Sequence, residues 1–202
     1  TTTMTVPLKV GIAGYGVVGK RRRDVIDAHL SLQVTAVSDR TLKGDGAFDD
    51  GVRYYDHYEK LLGEDLDVLF VCLTNDINPD ATIAGLEKGL HVFCEKVMAT
   101  SLEECWEMVR TARQHNVKLM VGHKRRLRIS WSRMIELTDD ALLGEPLAIT
   151  VTQYADMRPY DYPGTWWADP KLSGGTFSPL GVHVIDWFRA MCADAESVCA
   201  MY

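Results

Sequence analysis

The sequence predicts an α/β chain, a doubly wound parallel sheet followed by a second domain of helices and strands, and three observations carry that prediction. Short apolar stretches alternate with stretches of helical spacing from residue 8 to residue 121, the pattern of strands joined by crossover helices. One stretch, residues 68–73, is almost continuously apolar, as a strand covered on both faces must be. After Gly122 the alternation gives way to a basic run and an aromatic, proline-rich segment. Two domains are therefore expected, residues 1–122 and residues 123–202.

The elements follow in order. Residues 8–13 are a short apolar run that enters the glycine loop Gly14-Tyr15-Gly16-Val17-Val18-Gly19, and the loop opens into a helix over 17–30 with Val18, Val25, Ile26 and Leu30 at helical spacing. A second strand spans 33–37 and ends at Asp39, while the Gly- and Asp-rich residues 41–51 read as an exposed loop. A short helix is expected near 58–62, then the central strand 68–73. Asn78-Pro79 can cap a helix that runs to about Lys88, where Gly89 stops it. Residues 91–94 form the next strand. Thr100 and Ser101 offer caps for a helix over 102–114, Glu103 and Glu104 in its first turn suit the helix dipole, and 117–121 returns as a strand. Beyond Gly122, a helix is expected over 129–137, a long alternating strand over 147–154, a helix over 180–191 and a last strand over 196–201.

Composition narrows the function. The 202 residues are 47% hydrophobic and 25% charged, with no apolar run of membrane-spanning length. A formal net charge of −6 argues against a nucleic-acid partner, because counterion release needs a basic surface. Residues 1–7 carry neither a basic start nor an apolar signal core, so a cytoplasmic location is the expectation. Five cysteines without CxxC spacing, Cys72 and Cys94 inside apolar runs, suit reduced core thiols better than disulfides or zinc, and no metal site is expected.

Each glycine of the loop answers a physical need. Gly14 allows a tight turn after the strand, Gly16 lets the backbone approach a pyrophosphate closely, and Gly19 permits close packing of helix on strand. An anion is then favoured at the helix N-terminus. Asp39 stands 20 residues after Gly19, at the end of the second strand, where a carboxylate can bond ribose hydroxyls. These features read as a Rossmann domain holding a nicotinamide dinucleotide through Gly14, Tyr15, Gly16, Val17, Val18, Gly19 and Asp39. The carboxylate favours NAD; the adjacent Arg40 can pair a 2′-phosphate and keeps NADP open. Lys20 to Arg23 are either further cations beside the cofactor or a solvated helix face. Thr74 and Asn75 after the central strand, with Glu95 and Lys96 after the strand 91–94, complete the expected cofactor set.

Two residues are candidates for chemistry. Lys96 follows a strand's carboxyl end, where ligands collect in open parallel sheets, and could hold a substrate hydroxyl, stabilise an alkoxide or relay a proton; a surface lysine is the alternative. His183 can take a hydroxyl proton near neutral pH, with Asp186 in reach three residues on, although pattern alone makes a histidine between Val182 and Val184 a core residue more often than a base. Arg125, Arg126 and Arg128 could reach an anionic or polyhydroxyl substrate or simply face water, and Trp166 and Trp167 could form a sugar platform or pack in the core.

Taken together, the glycine loop, Gly89-Leu90-His91-Val92-Phe93-Cys94-Glu95-Lys96, Val121-Gly122-His123-Lys124-Arg125-Arg126, and Gly174-Gly175 with Gly181-Val182-His183-Val184-Ile185-Asp186 resemble the glucose-fructose oxidoreductase, inositol dehydrogenase and MocA (Gfo/Idh/MocA) family. The resemblance implies an NAD(P)-dependent oxidoreductase moving a hydride to or from a secondary alcohol of a sugar, cyclitol or nucleotide sugar. Lys96 matches the lysine of the family's Glu-Lys-Pro motif and His183 its catalytic histidine, and the C-terminal domain, here a partial α+β domain with an open sheet, would carry the substrate site and a homo-oligomer interface. Alternatives within the resemblance are a glycoside-cleaving relative that oxidises its sugar transiently and a non-catalytic dinucleotide-binding sensor. Three departures are present. Val97 replaces the motif's proline, Pro179 stands four residues before His183 where many family dehydrogenases place an aspartate, and the chain is shorter than family members, so a C-terminally truncated piece is expected.

Overall fold

A computed structural model of the chain describes residues 6–139, 144, 146–154, 156, 165–175, 177–192 and 194–200. Residues 1–122 and 123–202 form two compact units.

The first unit is a seven-stranded sheet built from β1 (Leu8–Ala13), β2 (Leu32–Ser38), β3 (Gly46–Ala47), β4 (Arg53–Tyr55), β5 (Val68–Val71), β6 (His91–Cys94) and β7 (Leu119–Val121). Its order is β3-β4-β2-β1-β5-β6-β7, and every pair is parallel except the small β3–β4 hairpin at one edge. Without β3 this is the dinucleotide-fold order 3-2-1-4-5-6, whose direction of winding reverses between β1 and β5. Register makes the carboxyl edge level: Ser38 pairs with Ala13, Ala13 with Val71, Val71 with Cys94 and Cys94 with Val121. The next residue of each strand therefore joins one row, Asp39, Gly14, Cys72, Glu95 and Gly122. Backbone bonds continue along it, from Gly14 N to Ser38 O (2.8 Å), Cys72 N to Ala13 O (2.7 Å), Glu95 N to Val71 O (2.9 Å) and Gly122 N to Cys94 O (2.9 Å).

Alternation along the strands divides the core between the two faces of the sheet. Val10, Ile12, Val34 and Val37 pack with Ile26 of α1 (Val17–Asp27). Leu69, Val71 and Val92 pack on the other side with Leu61 of α2 (Tyr58–Leu61), Ala81 and Leu86 of α3 (Asn78–Glu87) and Ala112 of α4 (Leu102–Gln114). Helix α4 starts at the expected place: Ser101 Oγ accepts from Glu104 N (3.2 Å) and Glu104 Oε2 accepts from Ser101 N (3.1 Å), a reciprocal capping box.

Several expectations change. Helix α1 ends at Asp27, and of the four apolar residues used to phase it only Ile26 is buried; Val25 is 66% and Leu30 95% exposed. What turns inward instead is arginine, described below. The loop 41–51 contains β3, which pairs with β4 and carries Phe48 into the core beside Tyr54. In α3 the cap is Ile77, and Asn78 is the buried first helical residue whose Nδ2 donates to Val97 O at 3.3 Å.

Among the described residues of the second unit the elements are helical: a 3-10 turn at Lys124–Leu127, α5 (Ile129–Asp139), a 3-10 turn at Trp166–Ala168, α6 (Pro170–Ser173) and α7 (Phe177–Cys192). Residues 146–154 and 194–200, where strands were expected, carry none, and Leu147, Tyr154 and Val198 are about nine-tenths or more exposed. Alternation alone makes no strand, since a strand exists only where a neighbour takes its backbone hydrogen bonds. The expected strand's last residue, Met201, lies outside the described residues. Helix α7 packs on α5 through Trp187 and Trp131, whose ring centres are 4.8 Å apart. No helix among the described residues is long and apolar enough to cross a membrane.

Gly19 sets how closely α1 approaches β1. A Cβ there would stand 2.0 Å from Gly14 O and 3.3 Å from Ile12 Cγ2. Gly19→Ala is expected to lower stability by about 3 kcal/mol through overpacking, whereas Gly16→Ala, whose Cβ would meet nothing within 4 Å, costs about 1 kcal/mol or less at a helix cap. Urea midpoints measure both, and equal midpoints for the two variants would show that α1 moves away without penalty.

Candidate functional site

The row of residues beyond the carboxyl edge forms the site of the first unit. Gly14 has φ +92°, a conformation that side chains resist, and a Cβ on it would lie 2.4 Å from Cys72 O. The turn is thus pressed against the chain leaving β5, at the point where the winding reverses. Gly16 caps α1 through its backbone and opens onto space that a Cβ would enter without contact. Helix α1 then offers its first N–H groups to that space. Tyr15 is half-buried, and Val17 and Val18 are exposed beside it.

Asp39 closes β2. Its N–H donates to Tyr55 O (3.0 Å), and its Oδ1 accepts from Thr41 N (2.9 Å) and Thr41 Oγ1 (2.7 Å), which fixes the carboxylate's direction. Arg40 is exposed. Thr74 lies three residues beyond β5, its carbonyl accepting from Ile77 N and Asn78 N at 3.0 Å each; Asn75 is buried at the entry to α3. The loop 41–54 borders a groove of about 730 Å³ whose lining includes Tyr15, Thr41, Leu42, Lys43, Phe48 and Tyr54. Tyr15 stands 5.9 Å from Phe48, and Phe48 4.9 Å from Tyr54. Sequence reading passed over this groove; two aromatic residues within and just beyond a Gly- and Asp-rich loop were the available signal.

The basic run after Gly19 is resolved position by position. Lys20 and Arg21 are exposed. Arg23 is half-buried and donates to Tyr15 Oη (3.1 Å), Asp27 Oδ2 (3.0 Å) and Asp50 Oδ2. Burial opposes its charge, but these bonds hold the guanidinium above its ordinary value. Arg22 turns to Glu95: Nε donates to Glu95 Oε1 at 2.8 Å, and Nη2 bonds the same oxygen. Neither cation is a solvated helix face.

Glu95 and Lys96 follow β6. The Glu95 carboxylate is buried, and its Oε2 accepts from Lys96 N at 3.3 Å. Lys96 is half-buried, and the Lys96–Val97 peptide is cis. Lys96 thus shares one sheet edge with the glycine loop, Asp39, Thr74, Asn75 and Glu95.

His183 lies in the second unit, on α7, and is 5% exposed. Asp186 on the same helix turns its carboxylate to Arg126, with Oδ2 accepting from Nε at 2.9 Å and Oδ1 from Nη2, while His123 Nδ1 stands 3.9 Å from Oδ1. Both oxygens are committed, so Arg126 answers a carboxylate of its own chain. That bond also raises the Arg126 pKa above its ordinary value. Arg125 covers the Trp131 ring at 5.5 Å; burial and the nearby Arg128 lower its pKa. Trp166 and Trp167 pack edge to face with ring centres 5.8 Å apart, both half-buried. Pro179 falls within the first turn of α7, where a missing N–H is tolerated. Among the described residues, no group of three or more His, Cys, Asp and Glu side chains is arranged to hold a metal.

Comparison with known proteins agrees with this construction. Residues 8–123 match the Gfo/Idh/MocA model of an oxidoreductase family with an NAD-binding Rossmann fold, and residues 131–202 match the GFO/IDH/MocA C-terminal domain. The chain belongs to the Gfo/Idh/MocA oxidoreductase family: an N-terminal Rossmann parallel sheet followed by a C-terminal domain of mixed α+β class. A 1,5-anhydro-D-fructose reductase from Ensifer adhaerens is 32% identical over 143 residues, 69% of this chain and 43% of the relative. A D-glucoside 3-dehydrogenase from Escherichia coli K12 is 30% identical over 188 residues, 89% of this chain and 52% of the relative. The crystal structure of the WlbA dehydrogenase from Bordetella pertussis, in complex with NADH and UDP-GlcNAcA, superposes with TM-score 0.79 at 19% identity, covering 93% of this chain and 56% of that one. The chain spans about half the length of the curated relatives it matches.

The five cysteines are free thiols; Cys94 is buried next to Glu95, whereas Cys192 and Cys199 are exposed. Burial first, and then the charges of Glu95 and Cys105, push the Cys94 thiol from 9.0 up to about 12, against a hydrogen bond with Thr82. An unfolded chain ionises this thiol from about pH 9, so its contribution to stability is complete below that pH and is lost as pH rises towards 12. Urea midpoints measured from pH 8 to 11 are expected to fall less steeply for Cys94→Ala than for the parent, whatever the offset between them. Parallel curves would remove Cys94 from the alkaline transition.

Proposed function

We propose that the protein is an NAD(P)-dependent oxidoreductase that transfers a hydride to or from a secondary alcohol of a sugar, cyclitol or nucleotide sugar. The observation that carries this reading is the glycine turn: Gly14 pressed on the chain leaving β5, Gly16 open to space at the start of an 11-residue helix, and Gly19 in contact with Gly14. A dinucleotide pyrophosphate fits that cradle, where backbone N–H groups and the helix dipole favour an anion. Gly14, Tyr15, Gly16, Val17, Val18 and Gly19 would hold it, with Thr74, Asn75, Glu95 and Lys96 along the same edge. The Asp39 carboxylate, oriented by Thr41, offers Oδ2 to a ribose diol and repels a 2′-phosphate, which favours NAD; Arg40 is the residue through which NADP would be accepted.

Bound NAD(P) would supply the hydride acceptor for alcohol oxidation and the donor for carbonyl reduction. The chain's own work is placement and proton handling. Lys96 Nζ would donate to the substrate oxygen and favour its negative charge. His183 would take the hydroxyl proton as the carbonyl forms and return it in reduction. The substrate class follows the relatives, which include a 1,5-anhydro-D-fructose reductase, inositol 2-dehydrogenases and a D-glucoside 3-dehydrogenase.

One observation favours a second reading, a dinucleotide-binding sensor without turnover. Pro179 has no carboxylate to support His183, and Asp186, the nearby acid on α7, is engaged by Arg126.

Thermal unfolding with NAD, NADH, NADP and NADPH tests the cofactor assignment. Saturation at about one hundred times Kd is expected to stabilise by about 3 kcal/mol, with NAD the better oxidised ligand, and Gly16→Ala should abolish the shift while the free protein's Tm hardly moves. A full shift in Gly16→Ala would sink the cradle. For the chemistry, Lys96→Met should lower kcat/KM by about a hundredfold or more on a substrate found among myo-inositol, glucosides, 1,5-anhydrosugars and UDP-sugars. Unchanged kcat/KM takes the lysine out of the mechanism; NAD binding without oxidation of any panel member selects the sensor.

A further inference from the structure

We propose that Arg22, acting through the Glu95 carboxylate, is a positioning residue that holds the Lys96 main chain in place. The inference rests on reading Lys96 as the residue that meets the substrate oxygen. Arg22 lies three residues beyond Gly19, on the helix whose N-terminus faces the cofactor cradle. Its side chain is 24% exposed, that of Glu95 10%. The guanidinium bonds Glu95 Oε1 through both Nε and Nη2 and covers the Phe93 ring at 4.9 Å. The other carboxylate oxygen, Oε2, accepts the Lys96 N–H at 3.3 Å. On that side a Cβ at Gly122 would stand 3.3 Å from Oε2 and 3.1 Å from Phe93 Cζ, so the space is closed. One carboxylate thus connects α1 to the peptide that carries Lys96, against the end of β7.

The sheet cannot do this work by itself. Among the described residues, the last ladder bond along β6 is that of Glu95, whose N–H donates to Val71 O. Beyond it the main chain is held by side chains: Glu95 takes the Lys96 N–H, and Asn78 donates to the Val97 carbonyl. A carboxylate as buried as Glu95 needs a cation in good geometry. Without Arg22 its Oε1 loses that partner and the carboxylate turns towards water, which weakens its hold on the Lys96 amide. The pair therefore differs from the surface pairs of the same unit, such as Lys9 with Asp65, whose side chains are 45% and 89% exposed and contribute little.

Amide hydrogen exchange followed by NMR reads the proposal without needing a substrate. In Arg22→Met the Lys96 amide should exchange at least tenfold faster than in the parent, while Val92 within β6 changes only by the factor that global stability dictates. Arg22→Lys, which keeps a charge on Glu95, should recover most of the protection, and adding Glu95→Leu to Arg22→Met should accelerate Lys96 exchange no further. Should Arg22→Met not fold, Arg22→Gln carries the same comparison. NADH affinity should stay within threefold, and on any panel substrate that is oxidised, kcat should fall at least fivefold with KM unchanged. Lys96 exchange that tracks Val92 overturns the proposal, and so does a loosened amide with unaltered kcat where Lys96→Met itself lowers kcat/KM. The Lys96→Met result stands apart: if that variant keeps full kcat/KM while Arg22→Met loosens the amide, the pair still holds the peptide and the role of the lysine falls.

Discussion

The closeness of α1 to the first strand is the constraint on which the remainder of the Rossmann unit depends. It requires bare backbone at Gly14 and Gly19, because the oxygen of one lies where a side chain on the other would begin, and Gly14 in turn abuts the carbonyl of Cys72. With that approach made, the helix N-terminus meets the sheet where the winding reverses, and the level register of five strands brings Asp39, Glu95 and Gly122 to the same edge. A bulkier residue at either glycine would displace the helix, and with it the N–H groups directed at the cradle.

Charge is handled differently in the two units but by one rule. A carboxylate removed from water needs a cation in good geometry, and arginine, with its planar fork, is the residue that provides it. In the first unit Arg22 answers Glu95 and Arg23 gathers Tyr15, Asp27 and Asp50. In the second, Arg126 answers Asp186. Within the basic runs 20–23 and 124–128, Arg22, Arg23 and Arg126 therefore serve the protein's own acids.

Much of this was legible in the chain. The central strand announces itself because burial on both faces demands nearly unbroken apolar residues over 68–73, the strands near 8–13, 33–37 and 91–94 because short apolar stretches end there at turn residues, and α4 because its capping box is local chemistry between residues three apart. The apolar spacing of α1 points to the wrong face: Val18 and Val25 are exposed, whereas Arg22 and Arg23 turn inward, over the Phe93 and Tyr15 rings, and bond acids. Asn78 looked like a cap and is a buried donor to Val97. The alternating residues 147–154 have the right period, but among the described residues no strand stands beside them to pair with.

By itself the sequence determined the order of the five strands β1, β2, β5, β6 and β7 and of helices α1 to α4 between them, the glycine turn between β1 and α1, and the placing of Asp39 and Lys96 at strand ends. Those are consequences of periodicity, sterics and contacts between near neighbours. Only the tertiary structure decided that Glu95 belongs to Arg22, 73 residues away, that Asp186 belongs to Arg126, 60 residues away, and that Phe48 and Tyr54 join Tyr15 along a groove. The period of a chain tells which face a residue takes; which distant partner stands opposite is set by packing, and no pattern along the chain encodes it.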